Sequence, residues 1–175
     1  MFDQKTLLGR TQSPLDNVIR SITLFFATVG FISYLPYKVV PFAKWKGGGL
    51  LGSLAGWGLV WLFPWHGPIL WAATASLLIF SVGVSHWAEL LLGQHDDPRI
   101  VIDEVAGVWV ACLGIPKQWA PMVLGLILFR VFDVLKGPWG NAAAKAPGGL
   151  GVVADDLVAG VIAQALVRLA FRISF

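Results

Sequence analysis

The sequence predicts an all-α fold, a polytopic membrane helical bundle with about four to five membrane helices after an N-terminal amphipathic or partly inserted helix. Three observations predict it. The 175 residues are 57% hydrophobic and only 13% charged, where a soluble domain averages roughly 25% charged residues. From Gly47 to Ala88 there is no Asp, Glu, Lys or Arg. The apolar segments show no strand-like alternation, and backbone groups in lipid must pair within their own segment, which favours helices. The net charge is +3. Cytoplasmic Lys and Arg near helix ends give membrane proteins such an excess, so it points to no nucleic-acid partner. Cys112 is the only cysteine. That excludes an internal disulfide and a cysteine metal site, and leaves Cys112 as a small packing residue.

Residues 1–12 read as a polar tail, and 13–175 as one helical membrane domain. Lys5 and Arg10 could form the basic part of a signal peptide. The apolar part starts only near Ile22, however, and no A-x-A site follows, so the whole chain is retained. Ser13-Pro14-Leu15-Asp16 is a helix start, with Ser as N-cap, Pro at the first helical position and Asp in the first turn. This helix is expected to run to about Leu35. Its uncharged part, Ser21 to Leu35, is 15 residues long, short of the roughly 20 needed to cross a 30 Å core.

Residues 36–48 form a basic loop with Lys38, Lys44 and Lys46. A helical hairpin follows, with helices near 49–63 and 69–92 and Pro64-Trp65-His66-Gly67-Pro68 as its turn. Residues 94–99, QHDDPR, are a polar loop. A third apolar segment covers 100–115 and a fourth covers 119–135. The Gly/Pro/Ala-rich stretch 136–149 reads as a loop, and a fifth segment covers 150–171. Placing the basic 36–48 loop in the cytoplasm puts the 94–99 and 136–149 loops there too.

Five carboxylates then meet at that face. Asp103 and Glu104 open the third segment, Asp133 closes the fourth, and Asp155 and Asp156 open the fifth. One acid near a helix N-terminus is ordinarily a dipole partner worth about 0.3–1 kcal/mol. Inside a spanning helix, a charge costs on the order of 2.5–3.5 kcal/mol on insertion scales. Five acids also repel one another. A divalent cation relieves both costs. Oxygen ligands, with no Cys or His among the gathered residues, suit Mg²⁺ or Mn²⁺.

Two cations join the acids. Arg130, Asp133 and Lys136 follow i, i+3, i+6 along one helix face. They read either as an internal ion-pair ladder, with Lys136 reaching for the interface, or as Arg130 and Lys136 holding an anion beside the metal. The turn Gly148-Gly149-Leu150-Gly151 leads into the Asp155–Asp156 helix, where backbone N–H groups can face a phosphate. The residues thus describe a membrane enzyme with a metal and a phosphate at the cytoplasmic interface, acting on a lipid phosphate or related amphiphile by metal-assisted hydrolysis or transfer.

Three ordered blocks carry a resemblance. DPRIVIDEVAGVWVA (97–111), LFRVFDVLKGPWG (128–140) and GGLGVVADDLVAGV (148–161) resemble the phosphatidylglycerophosphatase A family. The family blocks read I-V-x-D-E-x-x-G, F-R-x-x-D-x-x-K-P and G-G-x-G-x-x-x-D-D-x-x-A-G. The resemblance implies a Mg²⁺-dependent phosphatase of bacterial inner membranes, multi-pass, with phosphatidylglycerophosphate as its phospholipid substrate. By it, Asp103, Glu104, Asp133, Asp155 and Asp156 form the acidic active-site set. Asp103, Glu104, Asp155 and Asp156 supply metal ligands, and Arg130 and Lys136 face the phosphate, with Gly149 and Gly151 beside it.

The chain departs from the family twice. Where the family has P-G-T-x-G-S-L, residues 47–54 read GGGLLGSL, which keeps the G-S-L with Ser53 as a candidate phosphate-side residue. Where the family has K-P-x-P, the chain has Lys136-Gly137-Pro138-Trp139. His95, beside Asp96 and Asp97, is a candidate acid for the leaving group, though a His in a polar loop is more often merely exposed. Alternative readings are a phosphatase of another lipid or polyprenyl phosphate, and a non-enzymatic cation-binding or transport protein. The transport reading needs acids along a path across the bilayer, and here they gather at one face.

Overall fold

The computed structural model describes residues 13–36, 47–63 and 67–173. The 1–12 tail, the loop lysines 38, 44 and 46, and residues 64–66 of the expected turn lie outside the described residues. Within them the protein is all-helical, with seven α-helices.

Helix α1 spans Pro14–Ala27 and starts with a capping box. The Asp16 backbone N–H donates to Ser13 Oγ at 3.2 Å, and the Ser13 N–H donates to the Asp16 carboxylate at 2.9 Å. The helix stops well before Leu35, contrary to the sequence expectation. The Thr28 hydroxyl donates to the Leu24 carbonyl at 2.7 Å and accepts from the Phe31 N–H at 3.0 Å. Gly30 takes φ +69°, and a 3₁₀ turn follows at Ile32–Tyr34. Fourteen residues reach only about 21 Å. Leu15, Ile19, Ile22 and Phe26 stay exposed while α1 packs on α3. This is an amphipathic element.

Helices α2 (Gly48–Leu62) and α3 (Gly67–Leu92) match the expected pair. They do not pack as a hairpin, however: both lean on α4 (Ile102–Cys112), which stands between them. Glycines explain this on the α2 side. A Cβ at Gly52 would sit 2.8 Å from Val101, and one at Gly56 would sit 2.8 Å from Val105. Without side chains there, the two backbones come into direct contact, the packing mode lipid favours because apolar burial gives helices little advantage over lipid tails. Every residue of α4 except Glu104 is buried.

Helix α4 is shorter than the predicted 100–115 because Asp97–Ile100 forms a hydrogen-bonded turn before it and Gly114 adopts φ +67° after it. Helix α5 covers Trp119–Leu135 as expected and ends on Lys136 in the left-handed region. The 136–149 stretch is not all loop: Pro138–Ala143 forms a short helix, α6, with Pro at its first turn. Helix α7 covers Gly149–Phe171.

Helices α3 and α7, with 26 and 23 residues, are long and apolar enough to cross a membrane, while α2 is apolar but has only 15. Trp109, Phe129 and Met122 fill the core, and Trp109 Nε1 donates to Thr74 Oγ1 at 2.9 Å. Cys112 packs there fully buried. At one end of the bundle Lys117 Nζ donates to the Trp61 and Phe63 carbonyls and closes α2. The starts of α2, α4 and α7 and the end of α5 meet at the other end, around a polar cavity.

Candidate functional site

The cavity measures about 320 Å³. Asp103, Glu104, Arg130, Asp133, Lys136, Asp155 and Asp156 all line it, together with Gly49 and Asp96. The five acids and two cations read from the sequence therefore share one space, although they come from α4, α5 and α7 and the residue that ends α5.

Three of the acids form a tighter group. Asp103, Glu104 and Asp156 each offer a carboxylate oxygen, and these oxygens lie within 4.8 Å of one another. Asp103 and Asp156 are buried and Glu104 is half-buried. Asp103 Oδ1 accepts the Glu104 N–H at 3.0 Å, which fixes one oxygen in the first turn of α4. Glu104 Oε2 and Asp156 Oδ2 are buried with no hydrogen-bond partner. Buried carboxylate oxygens left unpaired cost several kcal/mol by order of magnitude. A hard divalent cation satisfies them and removes the repulsion, so the residues present fit such an ion.

The cations are held in place. Arg130 Nη1 donates to Asp133 Oδ2 at 2.6 Å and to Ser53 Oγ at 3.1 Å. Ser53 donates in turn to the Gly49 carbonyl at 2.8 Å. Ser53 is fully buried and outside the cavity lining. Ser53 thus braces Arg130, which itself lines the cavity. Lys136 Nζ donates to Asp155 Oδ2 at 2.7 Å and lies 3.7 Å from Asp96. Burial pulls the Lys136 amine down, but the Asp155 hydrogen bond and the charges of Asp155, Asp96 and Asp156 outweigh that and hold it above its ordinary value.

Asp155 is thereby engaged by Lys136, and it stands outside the tight triad. Of the four metal-ligand candidates, Asp103, Glu104 and Asp156 group together.

The glycine turn does other work. A Cβ at Gly149 would run into the backbone of α3 at Val82 and His86, and one at Gly151 would run into the Ala144 and Ala146 carbonyls. Neither lines the cavity. Their bareness lets α7 seat against α3 and the turn after α6. His95 is also elsewhere: its Nδ1 pairs with Glu89, and it is absent from the cavity wall.

Sequence reasoning passed over two residues of the wall. Asp96 sits at φ +50°, which Asp tolerates better than most residues, and its N–H donates to Glu89 Oε1 at 2.9 Å. The signal was present in the acidic QHDDPR loop. Gly49 touches Glu104 directly, and the glycine run at 47–49 was its signal. Next in the loop, Arg99 grips Asp97 with two bonds of 2.8 and 2.6 Å. That hydrogen-bonded carboxylate raises the Arg99 guanidinium above its ordinary value and braces the approach to α4.

The profile of the phosphatidylglycerophosphatase A family matches residues 25–171. A Bacteroides thetaiotaomicron protein named "Putative phosphatidylinositol-3-phosphatase" is 35% identical over 136 residues, 74% of this chain and 84% of its own length. Phosphatidylglycerophosphatase A of Escherichia coli K12 is 33% identical over 125 residues, 67% of this chain and 70% of its own length. The Haemophilus influenzae protein of the same name is 32% identical over 123 residues, 68% of this chain and 76% of its own length. No solved structure matches the chain significantly. With the match running from Phe25 in α1 to Phe171 at the end of α7, this chain belongs to the phosphatidylglycerophosphatase A family.

Proposed function

We propose that the chain is a Mg²⁺-dependent lipid phosphatase, a phosphoric monoester hydrolase that converts phosphatidylglycerophosphate to phosphatidylglycerol and phosphate. One observation carries the reading: the carboxylate triad, with an unsatisfied oxygen on Glu104 and on Asp156, and the two cations Arg130 and Lys136 line one cavity in a member of this family. We further infer a multi-pass protein of the bacterial inner membrane, with α3 and α7 among its spans and the site facing the cytoplasm. The two long apolar helices and the basic loop before α2 support that placement.

Asp103, Glu104 and Asp156 would hold the ion, with Mg²⁺ favoured over Mn²⁺. Bound there, it supplies positive charge to the phosphoryl oxygens and lowers the cost of the charge that builds on them. The rest of the work falls to the protein. Arg130 presents a planar donor fork suited to two phosphate oxygens, and its pairing with Asp133 and Ser53 fixes the fork's orientation. Lys136 adds a point charge on the cavity wall, tethered by Asp155. Asp133, paired with Arg130 through Oδ2, would orient a water for attack on phosphorus. Water oxygen joins phosphorus as the ester P–O bond breaks; the water gives up a proton, the leaving oxygen takes one and departs as the free hydroxyl of the glycerol headgroup, and inorganic phosphate is released.

A second reading keeps the chemistry and changes the lipid. The Bacteroides relative's name points to a phosphoinositide, and residues 47–53 depart from the family loop. The deciding experiment is phosphate release by the purified protein in detergent. Phosphatidylglycerophosphate, phosphatidate and phosphatidylinositol 3-phosphate are supplied in parallel, with and without Mg²⁺. Mg²⁺-dependent release mainly from the first supports the principal reading. Preference for the third shifts the substrate. No release from any of them, by folded protein, overturns the phosphatase assignment.

A further inference from the structure

A shallow apolar groove of about 30 Å³ adjoins the polar cavity and shares residues with it. The groove runs between α5 and α7 beside α6, lined by Phe132, Trp139, Val158, Ala159 and Ile162. At its head stand Asp133, Lys136, Asp155 and Asp156, the same four residues that form one wall of the cavity. Asp155, Val158 and Ile162 follow i, i+3, i+7 and so lie along one face of α7. The acid end of that face belongs to the cavity and the apolar end to the groove. Beyond it, Val131, Leu135 and Val161 carry an exposed apolar surface along the same two helices. Trp139, 65% exposed, opens α6 beside the groove.

A soluble phosphate ester needs only the polar cavity. An amphiphile whose phosphate sits there must lead its hydrocarbon part away through an apolar wall. This groove provides one, and it leads to helix surfaces that suit lipid. Trp, with an apolar ring and one N–H donor, is a residue of membrane interfaces.

We propose that the α5–α6–α7 groove is the binding site for the acyl end of the lipid substrate. The lipid reaches the cavity sideways from the bilayer, and Trp139 covers its glycerol-proximal methylenes. The proposal rests on the lipid phosphatase reading for what the cavity holds, but acyl occupancy can be tested without turnover.

Two measurements test it. First, Ile162→Trp, which fills the groove, and Trp139→Ala, which uncovers it, are assayed on long-chain phosphatidylglycerophosphate and on its deacylated, water-soluble counterpart. The expected result is a roughly tenfold loss of kcat/KM on the lipid, carried mainly by KM, the scale of a remodelled apolar pocket. Turnover of the deacylated ester stays at the wild-type level. Equal losses on both substrates, or no loss on either, would overturn the proposal. Second, wild-type protein without Mg²⁺ is photolabelled with a phosphatidate carrying a diazirine in its acyl chain. Labels should concentrate in 129–140 and 155–163, and labelling centred on α1 or α2 would also overturn it. If neither ester is hydrolysed by wild-type protein, the phosphatase reading fails, and the labelling pattern still decides the groove.

Discussion

Gly49 faces the Glu104 carboxylate so closely that not even a methyl group fits between them. The start of α2 thus sets where a candidate metal ligand on α4 can stand. Gly49→Ala should displace Glu104 while leaving the helices intact. A misplacement of about 1 Å at a reacting centre can cost on the order of 10²-fold in rate. The expected outcome is a loss of roughly that size in kcat, a weaker Mg²⁺ dependence curve and unchanged helical circular dichroism.

Asp103→Asn and Asp156→Asn should each lower phosphate release by on the order of 10²–10³-fold, the usual scale for removing one electrostatic element of an active site. Stability should move the other way. Each variant removes a buried charge from a crowded group, so the ion-free protein should melt at a higher temperature than ion-free wild type. The wild type should gain melting temperature on adding Mg²⁺, and the variants should gain little. Differential scanning calorimetry in detergent with a chelator and with Mg²⁺ reads both effects.

Lys136 makes a pH prediction. Its amine is held above the ordinary value near 10.5 by Asp155 and its acidic neighbours. A raised value means its stabilising contribution is fully present below the unfolded value, and it is lost only as pH climbs through the folded one. Lys136→Met should therefore lower stability by the same amount at pH 6 and pH 9, with no slope between them. Lys136→Arg should restore the charge without the single-point contact to Asp155 and recover part of the activity.

Asp96→Asn separates charge from backbone shape. Asn accepts the left-handed conformation that Asp96 adopts, so the loop should hold. The carboxylate is 57% exposed and 3.7 Å from Lys136, so stability should change by no more than about 0.5 kcal/mol. A several-fold change in KM with kcat nearly constant is the expected kinetic result, since the residue stands on the cavity wall outside the triad.

Much of the site was legible because a membrane chain exposes its exceptions. Asp103, Glu104, Asp133, Asp155 and Asp156 stood out against the insertion cost of charge, and helix order alone brought them to one end. What the sequence hid depended on contacts between distant segments. Gly149 and Gly151 have the pattern of a phosphate turn, but the backbones they admit belong to α3 and to residues 144–146, which no local pattern announces. The end of α1 turns on one hydroxyl, Thr28, taking over the helix's hydrogen bonding. Helix α6 has six residues, too few to show any period. The expected hairpin failed for a related reason: periodicity identifies two helices, while the glycines of α2 choose α4 as its partner.

The shortness of α4 bears on how the protein is made. Eleven residues with two carboxylates at the leading end are a poor independent span, since they reach only about 17 Å. Helix α7, its most extensive partner, is synthesised after it. Until it arrives, α4 lacks the wall that buries it and the third acid of the triad. A chain that has not yet made α7 therefore has no assembled triad. Assembly order thus ties the completed triad to the arrival of α7.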